Sequence, residues 1–235
     1  VFCDIKMPEM DGMEVLDRFS STGVDAATAA KRVKELAAEL EPREPWCCVK
    51  AKLYAYLCDN LSIGVSGHDW FPAFAVWNRY ARPMSPVLER RNGEIERKFY
   101  PEILPRMYEG NRQGKWMVWK DFDHIVPDWD TVIPLGFAGL KARLLANWQE
   151  EKPYYRAEKI AAEGIERLLD RLIEKGTRDE GRGMRVSRQV ESLRRLRDGA
   201  PQTAYDVMQF IYLYFVLSEH FEAVQARSLS IIDKT

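Results

Sequence analysis

The segment DHIVPDWDTVIPLGFAGLKARL, residues 123–144, sets the frame for the rest of the chain. Ile133, Leu135, Phe137, Leu140 and Leu144 form an apolar stripe that predicts a helix from about Thr131, with Pro134 limiting where it can begin. Ahead of that helix, His124 stands between Asp123 and Asp128. Imidazole titrates near neutrality and can donate or accept a hydrogen bond. A carboxylate beside it can fix its tautomer or raise its pKa. The same residues also suit a structural role, because Asp is a preferred helix cap and His124 could cap the following turn.

Working outward, the chain reads as mostly helical. Downstream, Ile160, Ile165, Leu168, Leu169, Leu172 and Ile173 make one amphipathic face, with Glu163 and Arg167 paired at i, i+4 on the outside. Gly176 to Gly183 reads as a polar linker. Thr203 with Asp206 three residues on forms a capping box after Pro201, and Val207–Leu217 then enters a core as an apolar helix. Upstream, Asp25 is a plausible N-cap for a helix carrying Val33, Leu36, Ala37 and Leu40, which Glu-Pro-Arg-Glu-Pro stops. Trp46 to Leu61 resumes helical spacing and meets a turn at Gly64 to Gly67. Residues 68–123, rich in aromatics and prolines, read as loops and short helices wrapped on a larger body.

The whole has 235 residues, a formal net charge of −1, and ordinary apolar and charged fractions, so it can bury a substantial core. The charge balance gives no global pull toward nucleic acid or an anionic membrane. Six arginines sit in RGMRVSRQVESLRRLRDG, but Arg188, Arg194, Arg195 and Arg197 fall on several sides of a helix without interleaved stacking aromatics. A solvated helix or a subunit contact is the expectation there. Gly110 to Gly114 is no phosphate loop, since no Gly-Lys-Ser/Thr follows. Cys3, Cys47, Cys48 and Cys58 show no metal spacing and read as free or packed thiols of a reducing cytoplasm. His220 with Glu219 and Glu222 cannot share one helical face, so no metal site is expected. The longest apolar run falls short of a membrane span, and residues 1–19 lack a signal-peptide pattern.

Three segments, in this order and spacing, carry a resemblance. EPREPWCCVKAKLYAYLCDNLSI, DHIVPDWDTVIPLGFAGLKARL and APQTAYDVMQFIYLYFVLSEHFEAVQARSLSIIDKT together resemble the N-terminal part of the glycyl radical enzymes, the family of pyruvate formate-lyase and its dehydratase and decarboxylase relatives. The resemblance covers residues 28–235. Ser230-Ile231 departs from the family's Gly-Arg, and Asp206 stands where Glu is more common, which leaves the subfamily open. Residues 1–19 instead resemble a piece of a response-regulator receiver: in DIKMPEMDG, Asp4 would be the phosphoacceptor. No acidic pair, Ser/Thr or Lys completes such a site. Residues 20–27 are then a junction between a receiver-like remnant and a different protein.

The glycyl radical resemblance implies a helix-dominated α/β fold, the partial N-terminal portion of a ten-stranded α/β barrel. It implies cleavage of C–C, C–O or C–N bonds in a small-molecule substrate by thiyl radical chemistry. In this family a stored glycyl radical oxidises a cysteine on a mid-barrel loop. Both radical-bearing loops fall beyond Thr235 in the family's order, so no catalytic residue and no bound cofactor is expected in this chain, which reads as an inactive fragment. The position matching His124 is a carboxylate-binding arginine in pyruvate formate-lyase and a histidine contacting a substrate hydroxyl in related dehydratases. His124 and Asp128 are therefore the expected substrate-binding residues, with His68-Asp69-Trp70 a candidate for lining the same cavity. The implied partners are a radical S-adenosylmethionine activating enzyme and a second identical subunit. Two other classes remain open: a receiver signalling through Asp4 with a helical effector, and a non-catalytic helical binding module.

Overall fold

A computed structural model describes residues 23–65, 70–74, 82–115, 124–125, 127–222 and 225–226. The receiver-like stretch with Asp4, and His68, Asp69 and Asp123, lie outside the described residues. Eight helices and four two-residue strands make up the described part: α1 (Ala26–Leu40), α2 (Trp46–Asn60), β1 (Ile63–Gly64), β2 (Ala73–Phe74), α3 (Ser85–Phe99), α4 (Ile103–Arg112), β3 (His124–Ile125), α5 (Trp129–Ala146), α6 (Pro153–Gly181), α7 (Ser187–Asp198), α8 (Ala204–Glu222) and β4 (Gln225–Ala226). The helix-dominated character expected from the sequence is what the structure shows.

At the centre lies α2. It buries Cys48, Val49, Ala51, Leu53, Ala55, Leu57 and Cys58, which point in nearly every direction around the helix, as expected of one enclosed on all sides. α1 covers it with Ala29, Val33 and Ala37. Asp25 caps α1 as its sequence suggests, accepting from the Ala27 and Thr28 amides at 2.9 Å. On another side α2 runs parallel to α6. The Cys48 thiol donates to the Pro153 carbonyl at 3.4 Å near their starts. Further along, Gly164 comes so close that a Cβ would sit 3.0 Å from Ala55 Cα. At the far end Arg167 forks onto the Asp59 carboxylate at 2.7 and 3.1 Å, and Arg171 donates to the Leu61 carbonyl at 2.9 Å.

Two expectations are corrected here. Arg167 does not pair with Glu163; it reaches α2 instead, and Lys159 lies 3.9 Å from Glu163. Gly176 to Gly183 is no linker, because α6 continues unbroken to Gly181. Gly176 is a packing position: a Cβ there would meet Val190 of α7 at 2.5 Å, so the glycine lets two helices close on each other. The stretch around it looks polar because only one face is buried; Lys175 and Asp179 pair at 2.6 Å with little of either exposed.

The arginines of α7 also differ from the expected solvated face. Arg195 forks onto Asp206 of α8 at 2.8 and 2.9 Å, Arg197 reaches Asp170 of α6 at 2.8 Å, and Arg188 lies 4.2 Å over the Tyr205 ring. These are intramolecular ties that tack α7 to α6 and α8. Arginine suits the task because its planar fork matches a carboxylate.

α8 begins with the expected capping box. The Asp206 amide donates to Thr203 Oγ1 at 3.1 Å, while the Thr203 and Gln202 amides donate to Asp206 Oδ2 at 3.0 and 3.1 Å. Asp206 is fully buried. Burial pushes its carboxyl up, but the hydrogen bonds from Arg195, Gln202 and Thr203 outweigh that and hold it well below the usual carboxylate range.

α5 is less regular than its apolar stripe suggests. Pro134 lies inside it, and Gly136 breaks the helix with φ 59° and ψ −175°. A Cβ on Gly136 would lie 2.7 Å from the Gly199 carbonyl oxygen, so the break is where the α7–α8 turn presses in. The segment 68–123, expected to hold only short helices, contains the 15-residue α3.

Replacing Asp206 with alanine leaves Arg195 without its partner and uncaps α8, and should cost about 3 kcal/mol in urea unfolding. Because the folded pKa is depressed, this contribution is present above the ordinary carboxylate pKa and is lost as pH falls through the folded value. Wild type should therefore lose its advantage over Asp206→Ala progressively below about pH 4. Gly136→Ala should be destabilised by about 2 kcal/mol or more, through both positive φ and the clash with Gly199.

Candidate functional site

The sequence singled out His124, and the structure places its backbone in β3, paired in parallel with β4. The register sets His124 opposite Gln225 and Ile125 opposite Ala226. A hundred residues separate these strands, so helices must bring them together. β3 leads through Pro127 and Asp128 into α5, and α8 leads into β4. α5 and α8 are joined by aromatic contacts. Trp129 meets the Tyr214 ring edge-on at 5.4 Å between centroids, and Phe137 meets Phe210 at 4.6 Å. Trp129, Phe137 and Phe210 are all buried. Such pairs contribute beyond their area alone, roughly 0.5–1.5 kcal/mol each. With the Gly136–Gly199 approach, they fix the two helices, and with them the two strands, in one register.

Asp128 occupies the N-cap position of α5 and is exposed. It accepts no backbone amide there; its Oδ2 instead takes the Thr131 hydroxyl at 2.7 Å. That local bond ties the carboxylate to the first turn of α5, four residues from His124 along the chain. Trp70, the described member of the His68-Asp69-Trp70 set, is 73% exposed, and its carbonyl accepts from the Tyr205 hydroxyl of α8. His220 lies on the last turns of α8. No group of three His, Cys, Asp or Glu side chains suited to a metal occurs among the described residues. No helix among them is long and apolar enough to cross a membrane.

Sequence reasoning did not single out Gln225. The apolar helix followed by a strand was visible, but no local pattern reports which residue of one strand faces which residue of another 101 positions earlier. It also did not find a cavity of about 510 Å³ between α2, α5, α6 and α8, with Cys47, Lys50 and Tyr54 on one wall and Phe137, Leu140 and Ala161 among the others. Small alanines on α6 and α2 leave this space open.

The described thiols are free. Cys48 and Cys58 are buried in α2, as packing cysteines would be, and burial pushes both thiols up, Cys58 far above the ordinary range. Cys47, half-buried, opens on the cavity.

No family model matches the chain, and no curated protein does. Among solved structures, the fold is similar to a glycyl radical enzyme from Archaeoglobus fulgidus, with TM-score 0.60 and 13% identity. The fold is shared. The match covers 88% of this chain and 34% of that enzyme, so the chain spans about a third of its length. At this identity the likeness establishes an arrangement of helices and strands, and not a reaction.

Among the described cysteines, modification by a soluble disulfide reagent followed by peptide mapping should find Cys47 labelled first. Cys58 should react only on unfolding, since thiolate and access are both denied it. Fast labelling of Cys58 in the native protein would contradict this burial.

Proposed function

We propose that the chain is the N-terminal portion of a glycyl radical enzyme, and that β3 and β4 are the first strands of its ten-stranded α/β barrel. The observation that supports this is the parallel β3–β4 pair, assembled by helices from distant sequence, with His124 on its first strand. Parallel strands joined by helical crossovers are the building unit of α/β barrels. The likeness to a glycyl radical enzyme over most of the chain supports the same reading.

In this reading the chain's own residues bind and orient a small organic substrate, while radical chemistry is supplied by loops of the rest of the enzyme. His124 takes a substrate hydroxyl or carbonyl, donating or accepting according to its protonation. Gln225 stands at the neighbouring register position and offers an amide as a second partner. Asp128, held by Thr131, anchors the start of α5 four residues after His124. The enzyme would be a lyase or dehydratase that breaks a C–C, C–O or C–N bond, working in the cytoplasm as a homodimer. A radical S-adenosylmethionine activating enzyme would install its radical. Cys48 and Cys58, buried in α2, have no part in the thiyl step.

The test is to express the complete reading frame that encodes the chain and treat it anaerobically with a radical S-adenosylmethionine activating enzyme. A glycyl radical doublet should appear in the electron paramagnetic resonance spectrum. His124→Ala should retain the doublet while losing about 10- to 100-fold in kcat/KM, the worth of one hydrogen bond to a charged or polarised group. A protein that never yields the doublet sinks the family reading. A full doublet with unchanged kcat/KM in His124→Ala sinks only the residue's role.

A further inference from the structure

Protein interiors pack as densely as organic crystals, with few voids larger than a water molecule. The cavity of about 510 Å³ between α2, α5, α6 and α8 departs from that rule and falls in the size range of small-molecule sites. Its shape follows from the helices around it. α5 and α6 lie side by side and antiparallel, with Trp148 against Tyr155 at one end and Lys141 2.6 Å from Glu166 further along. The lining runs from Phe137 to Leu144 on α5, about 10 Å of helix, and from Tyr154 to Ile165 on α6, about 16 Å. Ala157 and Ala161, one turn apart on α6, leave a slot to which Leu140, Leu144 and Ile165 supply apolar walls. A slot of this kind fits an extended aliphatic chain.

The two ends of the slot differ. Phe137, packed on Phe210, closes the inner end. At the other end Cys47 and Tyr154 belong to the first turns of α2 and α6, which the Cys48–Pro153 bond holds together, and Tyr154 is 62% exposed, so this end opens to solvent. Both helices begin here with no acidic residue in the first turn and no side-chain cap, so two positive dipole ends meet at the mouth. Glu44, just before α2, is taken up by Lys52. Lys50 stands one turn further in, and the lining carries two lysines, Lys50 and Lys141, against one acid, Glu158. Lys141 pairs with Glu166, yet an ammonium has three donors. We propose that this cavity binds a medium-chain aliphatic carboxylate, its chain laid along α5 and α6 and its head between Lys50 and the starts of α2 and α6. Charge sets the class. An aliphatic cation would face two dipole ends and two ammonium groups, and an uncharged chain would leave them unanswered. His124, Asp128 and Gln225 are not among the described lining residues, so this inference goes beyond the proposed function and its test reads binding alone.

Isothermal titration calorimetry of the complete protein that contains this chain tests it, with decanoate as the probe. Decanoate should bind once per chain with a Kd of about 50 µM, while acetate, the head without a chain, should give no heat. Decyltrimethylammonium, the same chain with the opposite charge, should bind about 10-fold more weakly or worse. Lys50→Met should weaken decanoate about 10-fold and narrow its lead over the cation. Ala161→Phe, which puts a ring into the slot, should abolish binding with an unchanged circular dichroism spectrum. Met208→Ser, at an exposed position of α8 outside the lining, should bind as wild type does. The proposal is overturned if the complete protein gives no heat with decanoate, if anionic and cationic chains bind alike, or if a folded Ala161→Phe binds as well as wild type. Lys50→Met, which keeps the reach of the side chain and removes its charge, decides the head contact even where Ala161→Phe fails to fold; decanoate bound there with undiminished affinity overturns the proposal as well.

Discussion

Everything in this molecule depends on how closely α2 and α6 can approach. Where Gly164 meets Ala55 the two backbones are nearly in contact, and a Cβ on the glycine would already be tighter than ordinary packing allows. This contact turns α2 into a central helix: with α6 against one side and α1 against another, little of its surface remains for water. Its sequence follows from that position. Cysteines, alanines and leucines alternate with no fixed apolar stripe because there is no outward face to mark. Arg167 and Arg171 then fix the axial offset, reading the Asp59 carboxylate and the carbonyls at the end of α2. A glycine sets the distance and two arginines set the slide.

A second knot, at Asp206, joins the C-terminal half to this frame. One carboxylate accepts two amides of the α8 entry and the Arg195 fork, so it caps one helix and holds another. Full burial of such a charge is costly unless every lone pair is used, and here the surrounding donors use them. The turn that Asp206 organises carries Gly199 and Pro201, which press into the break at Gly136. Strain in α5 and order in the α7–α8 turn are therefore one feature seen from two sides. Its consequence is the register of β3 against β4, since α5 and α8 carry those strands at their ends.

Residues with partners within one turn were legible in the sequence. Asp25 and the Thr203–Asp206 box are hydrogen-bonding patterns of three or four residues, and they form as their spacing implies. The arginines of α7 were not legible, because Asp206, the Tyr205 ring and Asp170 lie 11 to 27 positions from the arginines they hold and nothing in the local sequence points to them. Gly176 misled for a related reason. A glycine among charged residues looks like a flexible joint, and only the proximity of Val190 shows that it is there to let a neighbour in. Of the candidate site, His124 and Asp128 could be singled out, and Gln225 could not, since strand register is a property of the assembled helices.

The division between these residue sets bears on how much a shared fold can say. The positions that shape the scaffold, among them Gly164, Gly136, Asp206 and Arg195, lie in helices and turns away from β3 and β4. The positions proposed to meet a substrate, 124 and 225, are placed by backbone register. The aromatic contacts that join α5 to α8 involve neither position, so the scaffold could be kept while the ligand changed. A fold retained at 13% identity is what such a separation permits. It is also why the likeness speaks for the helices and strands, and why the reaction has to be argued from His124 and its neighbours.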